Sequence, residues 1–368
     1  MKGANEVSTE TLRNWLETRK EVSILDVRPI EERLEWFIPG SIYFNAYDKL
    51  KAHKPDALYG LHLDKRIPIV TVCAAGKTSS IAAGQLNEQG FEVYSLKGGM
   101  KAWSMAWNTA KLSFPDFEIM QFRRTGKGCL SYMVISNDEA IIVDASLPIE
   151  IYHDVLIKEK LKPKYVIETH IHADHLSRSK QLAESNSVKL HLPAPNNVNF
   201  DFVPVTGSTV FQIGHISIKT IQTPGHTAES VSYLIANKAL LTGDTLFVSG
   251  VGRPDLKANN DEIMEKSKIL YQSLQKLLIL NENIIVLPAH TSQPVEFDQT
   301  PIHATIGNIK QNVAMLKLNE EEFANTILQR IPPTPPNYLS IVEKNIKGDF
   351  SDINPVDLEA GANRCAVS

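Results

Sequence analysis

Three histidines and an aspartate fall within six positions of the stretch Thr169-His170-Ile171-His172-Ala173-Asp174-His175, directly after the apolar run Tyr165-Val166-Ile167. Imidazole and carboxylate are the donors that hold borderline divalent metals. The arrangement recurs three times downstream, each time as an apolar run that ends in a histidine or aspartate. Residues 216–221 lead to Thr223-Pro224-Gly225-His226-Thr227, Leu240-Leu241-Thr242-Gly243 leads to Asp244, and residues 284–287 lead to Pro288-Ala289-His290. A lone strand-end histidine is more often structural. Four such ends in one chain imply a metal centre, because the edge of a rigid sheet can fix ligands to the tolerance that coordination requires.

A second reactive candidate is Cys73. It ends the β-branched run Ile67-Pro68-Ile69-Val70-Thr71-Val72 and opens the loop Ala74-Ala75-Gly76-Lys77-Thr78-Ser79, which runs into a helix-like stretch at 80–89. In parallel α/β sheets the carboxyl edge of the strands is the usual ligand crevice. Small loop residues let backbone N–H groups curl toward the sulfur. Together with the helix N-terminus and Lys77 they favour a thiolate or a persulfide anion. Cys129, in Gly126-Lys127-Gly128-Cys129-Leu130, could be a second redox-active thiol, but a buried structural role is the expectation, since only Lys127 among its immediate neighbours is charged.

The elements that must position these groups are legible from periodicity. Residues 7–20 carry Leu12, Trp15 and Leu16 at helical spacing. A buried strand over 22–29 ends in Asp26 and Arg28, Pro39-Gly40-Ser41 marks a turn, and 91–96 reads as a further strand. Strands alternating with helices imply a parallel α/β sheet. Residues 108–118 read as a linker. Beyond it, 131–135 and 140–144 flank the turn Ser136-Asn137-Asp138-Glu139 as a hairpin, and 149–160 and 302–328 read as helical. Pro332-Pro333-Thr334-Pro335-Pro336 is a stiff extended connector that would route the chain back, so that Arg364 or Cys365 could reach the site.

The chain has 368 residues, enough for two domains, with 43% apolar and 22% charged residues as in ordinary globular proteins. A formal charge of −4 gives no basic footprint, so nucleic acid is not an expected partner. No apolar run is long enough to span a bilayer and the first residues lack a signal-peptide core, so no membrane partner is expected. Three cysteines, odd in number and far apart, suggest thiols in a reducing cytoplasm rather than a disulfide framework.

Residues 5–107 resemble a rhodanese domain. The resemblance rests on Leu25-Asp26-Val27-Arg28, Pro39-Gly40-Ser41, the six-residue loop after Cys73, and Leu96-Lys97-Gly98-Gly99 with Trp103. It implies sulfane-sulfur transfer through a persulfide on Cys73, with Ala74, Ala75, Gly76, Lys77, Thr78 and Ser79 as the persulfide-binding loop. Phe37 stands where the family often has histidine.

Residues from 119 to about 300 resemble the metallo-β-lactamase superfamily, in a domain expected to run over 119–368 with a C-terminal extension, the motif being matched by His170, His172, Asp174, His175, His226, Asp244 and His290. The resemblance implies an αββα sandwich. It also implies one of two chemistries. Hydrolases of glyoxalase II type share these ligands between two zinc ions. Persulfide dioxygenases hold one Fe(II) by two histidines and an aspartate, which here would be His170, His226 and Asp244. His172, Asp174, His175 and His290 are then ligands if a second metal binds and surrounding groups if iron is alone.

The segment 243–256 with Arg253, and the tail Gly361-Ala362-Asn363-Arg364-Cys365-Ala366, resemble the dioxygenase branch, whereas Thr291-Ser292 replaces a common Asp-Tyr pair. Arg253 is the expected anchor for a substrate carboxylate or oxyanion. Arg364 and Cys365 are further candidates for the substrate site. The expected function is oxidation of a small persulfide such as glutathione persulfide by O₂ to sulfite, coupled to sulfur transfer that makes or uses thiosulfate. The alternatives are a binuclear zinc thioester hydrolase and a non-enzymatic sulfane-sulfur carrier or sensor. A second copy of the chain, as a homodimer, is the remaining candidate partner.

Overall fold

The computed structural model describes residues 5–195, 197–335 and 337–367. Pro336 of the proline-rich connector lies outside them.

The first domain is a parallel five-stranded sheet in the order Asn5–Val7, Val93–Leu96, Ile69–Val72, Ser23–Asp26, Ile42–Tyr43. Apolar side chains fill both faces, with Leu25, Ala82 and Leu86 on one and Leu12, Ile24 and Trp103 on the other. The central strand Ile69–Val72 is wholly buried and delivers Cys73 to the carboxyl edge. The helix Lys77–Glu88 follows. Gly98-Gly99 ends the neighbouring strand directly against this loop. A Cβ on Gly99 would lie 2.2 Å from the Cys73 carbonyl oxygen, so only glycine fits. The close approach lets the amides of Met100 and Lys101 donate to the carbonyls of Cys73 and Ala74 at 2.8 and 2.9 Å.

The second domain packs a seven-stranded sheet on a six-stranded one. The first runs Val203–Val205, Leu190–Pro193, Lys162–Ile167, Glu139–Val143, Cys129–Ser136, Glu118–Arg124, Asn108–Ser113. The second runs Val210–Ile213, Ile216–Gln222, Val231–Ile235, Ala239–Gly243, Ile285–Pro288, Ala304–Thr305. Between the sheets lie Tyr132, Val134, Ile141 and Ile167 against Ile218, Tyr233, Leu241 and Leu287. The outer faces are covered by the helices Asn260–Leu278 and Ile149–Lys158, whose apolar stripes complete the αββα layering.

The linker boundary is corrected. Asn108–Ser113, read as connector, is an edge strand paired antiparallel with Glu118–Arg124. Its alternation, with Asn108, Ala110 and Leu112 buried and Lys111 and Ser113 exposed, is that of a half-buried strand.

The two domains are docked through specific contacts. The Trp36 indole N–H donates to the Thr125 carbonyl at 3.1 Å, and Gly126 N–H to the Ala106 carbonyl at 3.1 Å. The carboxyl-terminal strand Ala366–Val367 returns to pair antiparallel with Val251–Gly252, beside the strand ends of the second sheet. Among the described residues no helix is long and apolar enough to cross a membrane.

Candidate metal centre and sulfur-transfer loop

His170, His226 and Asp244 come from three separate strand ends, yet their ligand atoms all lie within 4.8 Å of one another. All three are buried. Hydrogen bonds on the far side of each ring fix which nitrogen faces inward. The Thr169 hydroxyl donates to Asp144 Oδ2 at 2.8 Å and therefore accepts from His170 Nδ1 at 2.9 Å. His226 Nδ1 donates to the Arg253 carbonyl at 2.7 Å. Both Nε2 atoms are left with lone pairs toward Asp244 Oδ2, at 3.8 Å for His170 and 3.6 Å for His226.

His170 Nε2 and Asp244 Oδ2 are buried with no hydrogen-bond partner among the described residues. Orphaned buried donor atoms that converge fit a divalent cation. Burial, reinforced by neighbouring His172, holds the His170 imidazole well below its usual range, and so neutral. Burial acts to raise the Asp244 carboxyl, but His290, hydrogen-bonded through Nδ1 at 2.5 Å, and then His170 and His226 outweigh it and hold it well below the carboxylate range. A neutral His170 imidazole and an ionised Asp244 carboxylate are the protonation states that bind metal.

His172 lies beside this group, its ring centroid 4.2 Å from that of His170. Its Nε2 turns to Asp144 Oδ1, 3.2 Å away. Asp174, His175 and His290 gather in an adjoining buried cluster, and Cys129 joins them, its Sγ 3.2 Å from Asp174 Oδ2. The loop that carries these groups is clamped from the carboxyl-terminal part. Asn345 Nδ2 donates to the carbonyls of His172 and His175, both at 2.8 Å, and Glu359 Oε1 accepts from Leu176 N at 2.8 Å. Asn363 Nδ2 reaches Asp174 Oδ2 at 3.1 Å.

Arg253 is corrected as an anchoring cation. Its guanidinium is fully buried and pairs with both oxygens of Asp255 at 2.8 and 2.7 Å. Its remaining donors go to the carbonyls of Pro332, Pro333 and Arg364. No donor is left for a substrate, so the residue ties the returning tail to the metal edge. Arg364 likewise points away from the centre, to Glu35 Oε1 of the first domain at 3.0 Å. Cys365, in contrast, is buried with its sulfur among the ligand atoms of Asp244 and His290.

The Cys73 sulfur accepts the Gly76 amide at 3.1 Å and lies 3.3 Å from Ser79 Oγ, which contacts Ser95 Oγ at 2.9 Å. Burial alone would raise its pKa. The hydroxyls of Ser79 and Thr78 and the amides of Ser79 and Ala75 outweigh that and lower it below the ordinary thiol value. Ala74, Ala75 and Lys77 are exposed around it.

Two clefts lead to these groups. One of about 540 Å³ opens beside His226, with Ile171, Leu256, Tyr338 and Val342 as its apolar wall and Lys257 and Lys266 at its rim. The other, about 340 Å³, lies between the domains. Ala74 and Ala75 of the Cys73 loop face Ala360, Gly361 and Ala362 of the tail across it. One short tail segment thus borders the cysteine loop and places Cys365 at the metal ligands.

Sequence reasoning missed Asp144, Glu359, Asn345 and the position of Cys129. Asp144 alone had a signal, as a carboxylate at a strand end.

Residues 8–106 match the rhodanese-like domain family and residues 124–290 the metallo-beta-lactamase superfamily. The chain is 33% identical to Glyoxylase B2 of Dictyostelium discoideum over 38% of its own length and 54% of that protein. It is 31% identical to the hydroxyacylglutathione hydrolase of Francisella tularensis subsp. novicida, over 43% and 61%. It therefore spans little more than half the length of these curated relatives. Among solved structures, a metallo-beta-lactamase from Staphylococcus aureus superposes with a TM-score of 0.57 at 24% identity, covering 66% of this chain and 74% of that one. ETHE1 from Myxococcus xanthus gives 0.53 at 24% identity, covering 65% and 98%. The class is thus a metallo-β-lactamase-fold protein whose histidine and aspartate clusters can bind metal. More particularly, the chain joins a rhodanese-like domain at its amino end to a metallo-β-lactamase domain that is similar to part of a hydroxyacylglutathione hydrolase.

Proposed function

We propose that the chain is a sulfur-oxidising fusion enzyme in which one domain transfers sulfane sulfur and the other oxidises a small persulfide, such as glutathione persulfide, with O₂. The observation that carries this reading is that His170, His226 and Asp244, from three strand ends, bring their ligand atoms within 4.8 Å of one another. Two histidines and one carboxylate are the donor set of non-haem Fe(II) oxygenases. Fe(II) held by those three residues supplies the redox chemistry toward O₂. The chain itself supplies orientation and exclusion of water. Thr169 and the Arg253 carbonyl hold the two rings, and the apolar wall of Ile171, Leu256 and Val342 shields the approach beside His226. Persulfide, O₂ and water give thiol, sulfite and two protons. The outer sulfur of a Cys73 persulfide, passed to sulfite, gives thiosulfate and the free Cys73 thiolate. In the reverse direction Cys73 supplies persulfide.

The tail supports coupling between the two centres, since the same segment borders the Cys73 loop and carries Cys365 to Asp244 and His290. Three unbridged thiols suit a reducing compartment. A second reading, a binuclear zinc thioester hydrolase, is favoured by the adjoining Asp174, His175 and His290 cluster and by the 31% identity to a hydroxyacylglutathione hydrolase. Metal analysis of protein grown with both iron and zinc, with assays on glutathione persulfide and S-lactoylglutathione, separates the two. One iron per chain with O₂ uptake supports the first. Two zincs with thioester cleavage and no O₂ uptake would replace it by the second.

A further inference from the structure

The strand Val93–Leu96 lies parallel to Ile69–Val72, the strand that delivers Cys73, with Thr71 and Ser95 in register. Ser95 is buried. A buried hydroxyl without a hydrogen bond is costly, so its partner is informative. That partner is Ser79, also buried, whose Oγ lies 2.9 Å from Ser95 Oγ. Among the described residues Ser95 makes no other side-chain hydrogen bond. Ser79 Oγ in turn lies 3.3 Å from Cys73 Sγ. Ser95, Ser79 and Cys73 thus form a line of contacts that ends on the sulfur.

The backbone fixes this line. Ser79 belongs to the first turn of the helix Lys77–Glu88, and its carbonyl accepts from Thr71 Oγ1 at 2.8 Å. Gly98, three residues past Ser95, abuts the loop. A Cβ on Gly76, whose φ is +88°, would lie 3.0 Å from Gly98 N. The strand end that pins the loop therefore also carries Ser95.

Each serine hydroxyl has one proton to give. An anionic Cys73 sulfur only accepts, so Ser79 gives its proton to Sγ. Ser79 Oγ is then the acceptor in its contact with Ser95, and the Ser95 proton lies between them. A helical serine otherwise turns its proton to a backbone carbonyl one turn back. Donation from Ser95 fills a lone pair of Ser79 Oγ and holds the Ser79 proton toward the sulfur. Gly76 N, 3.1 Å from Sγ, is a second donor. Burial acts to raise the Cys73 thiol, and the Ser79 hydroxyl is the foremost of the groups that outweigh it.

We propose that Ser95 is a positioning residue for sulfur transfer, holding the Ser79 hydroxyl on Cys73 Sγ as that sulfur becomes the leaving group. In the step, a lone pair on the sulfur of sulfite forms a bond to the outer sulfur of a Cys73 persulfide. The bond from that sulfur to Sγ breaks, and its electron pair stays on Sγ. Thiosulfate leaves, no proton is transferred, and the Ser79 hydroxyl and Gly76 amide receive the new thiolate. Both donors bind the thiolate more strongly than the uncharged inner sulfur of the persulfide, so their effect falls on the transfer step. The proposal rests on the sulfur-transfer half of the function proposed above and is independent of the metal chemistry.

The test uses the full chain and two readouts. One is the pH profile of iodoacetamide alkylation, read at the peptide that carries Cys73. The other is isotope exchange between labelled sulfite and thiosulfate. Ser95→Ala should shift the alkylation profile upward and slow exchange about three- to tenfold, the scale of one weakened hydrogen bond, with KM for thiosulfate unchanged. Ser95→Thr, which keeps the hydroxyl, should restore both. In a Ser79→Ala background Ser95→Ala should have no further effect, because nothing is left to orient. That comparison involves only smaller side chains, so it decides the matter even where the threonine does not fit. An effect of Ser95→Ala that persists undiminished in the Ser79→Ala background would reduce Ser95 to packing and overturn the proposal. Wild type that exchanges sulfur, with Ser95→Ala unaltered in both readouts, would overturn it alone. Wild type that exchanges none would overturn the sulfur-transfer reading as well.

Discussion

Glu359 Oε2 lies 2.7 Å from Arg124 Nη1, and neither side chain is exposed to solvent. The other carboxylate oxygen takes Arg178 Nη1 at 2.6 Å and the amide of Leu176, which directly follows His175. A residue of the tail therefore holds the loop that carries His170, His172 and His175. Glu359→Gln leaves two buried guanidinium groups beside a neutral amide and should cost about 3–5 kcal/mol. Chemical denaturation checks this, and metal retention should fall with it. A loss below about 1 kcal/mol, the scale of an exposed pair, would remove the clamp from the account.

The same carboxyl predicts an acid limb. Burial opposes its ionisation, but Arg124 and Arg178 outweigh burial and pull its pKa down to about 2 from the ordinary 4.5. A depressed folded-state pKa gives stability that is complete above about 4.5 and lost as the pH falls toward 2. The stability difference between wild type and Glu359→Gln should therefore shrink across that window. A difference that stays constant from pH 6 to pH 2 would contradict it.

Arg253→Lys separates a positioning role from a substrate contact. Lysine cannot span both oxygens of Asp255 and the carbonyls of Pro332, Pro333 and Arg364. Metal retention and thermal stability should drop, while KM per metal-loaded enzyme stays within about twofold, far short of the tenfold that 1.4 kcal/mol of lost binding produces. A tenfold rise in KM at full metal loading would return the guanidinium to the substrate.

In the first domain, Cys73→Ser should abolish thiosulfate exchange and spare O₂ uptake on a small persulfide. Ser79→Ala should shift the pH profile of Cys73 alkylation upward, since one of the groups that stabilise the thiolate is lost. An unchanged profile would assign the low pKa to the Thr78 hydroxyl and the backbone amides.

Much of this was readable before any coordinates. Strand-end histidines and aspartates pointed to the right edge, because their apolar runs are local signals, and Cys73 sat where its loop composition said. What escaped depended on contacts distant in sequence. Cys129 looked inert because its four chain neighbours are uninformative, and the residue that matters to it, His290, arrives by a bridge from another sheet. Arg253 looked like a free cation because its acceptors are carbonyls of Pro332 and Pro333, which no side-chain pattern announces. Glu359 had no signal, as nothing in Pro355–Glu359 distinguishes a buried carboxylate from a solvated one. The strand Asn108–Ser113 was hidden by reading Pro115 and Asp116 as the end of a linker rather than as the turn between two strands.

The central claim is that His170, His226 and Asp244 serve oxidation of a persulfide. It is tested most directly with an O₂ electrode, using iron-loaded protein and glutathione persulfide. The account predicts O₂ consumption matched one to one by sulfite, and loss of both in His226→Ala. No O₂ uptake by fully iron-loaded wild type, with cleavage of S-lactoylglutathione by the zinc-loaded protein instead, would contradict it.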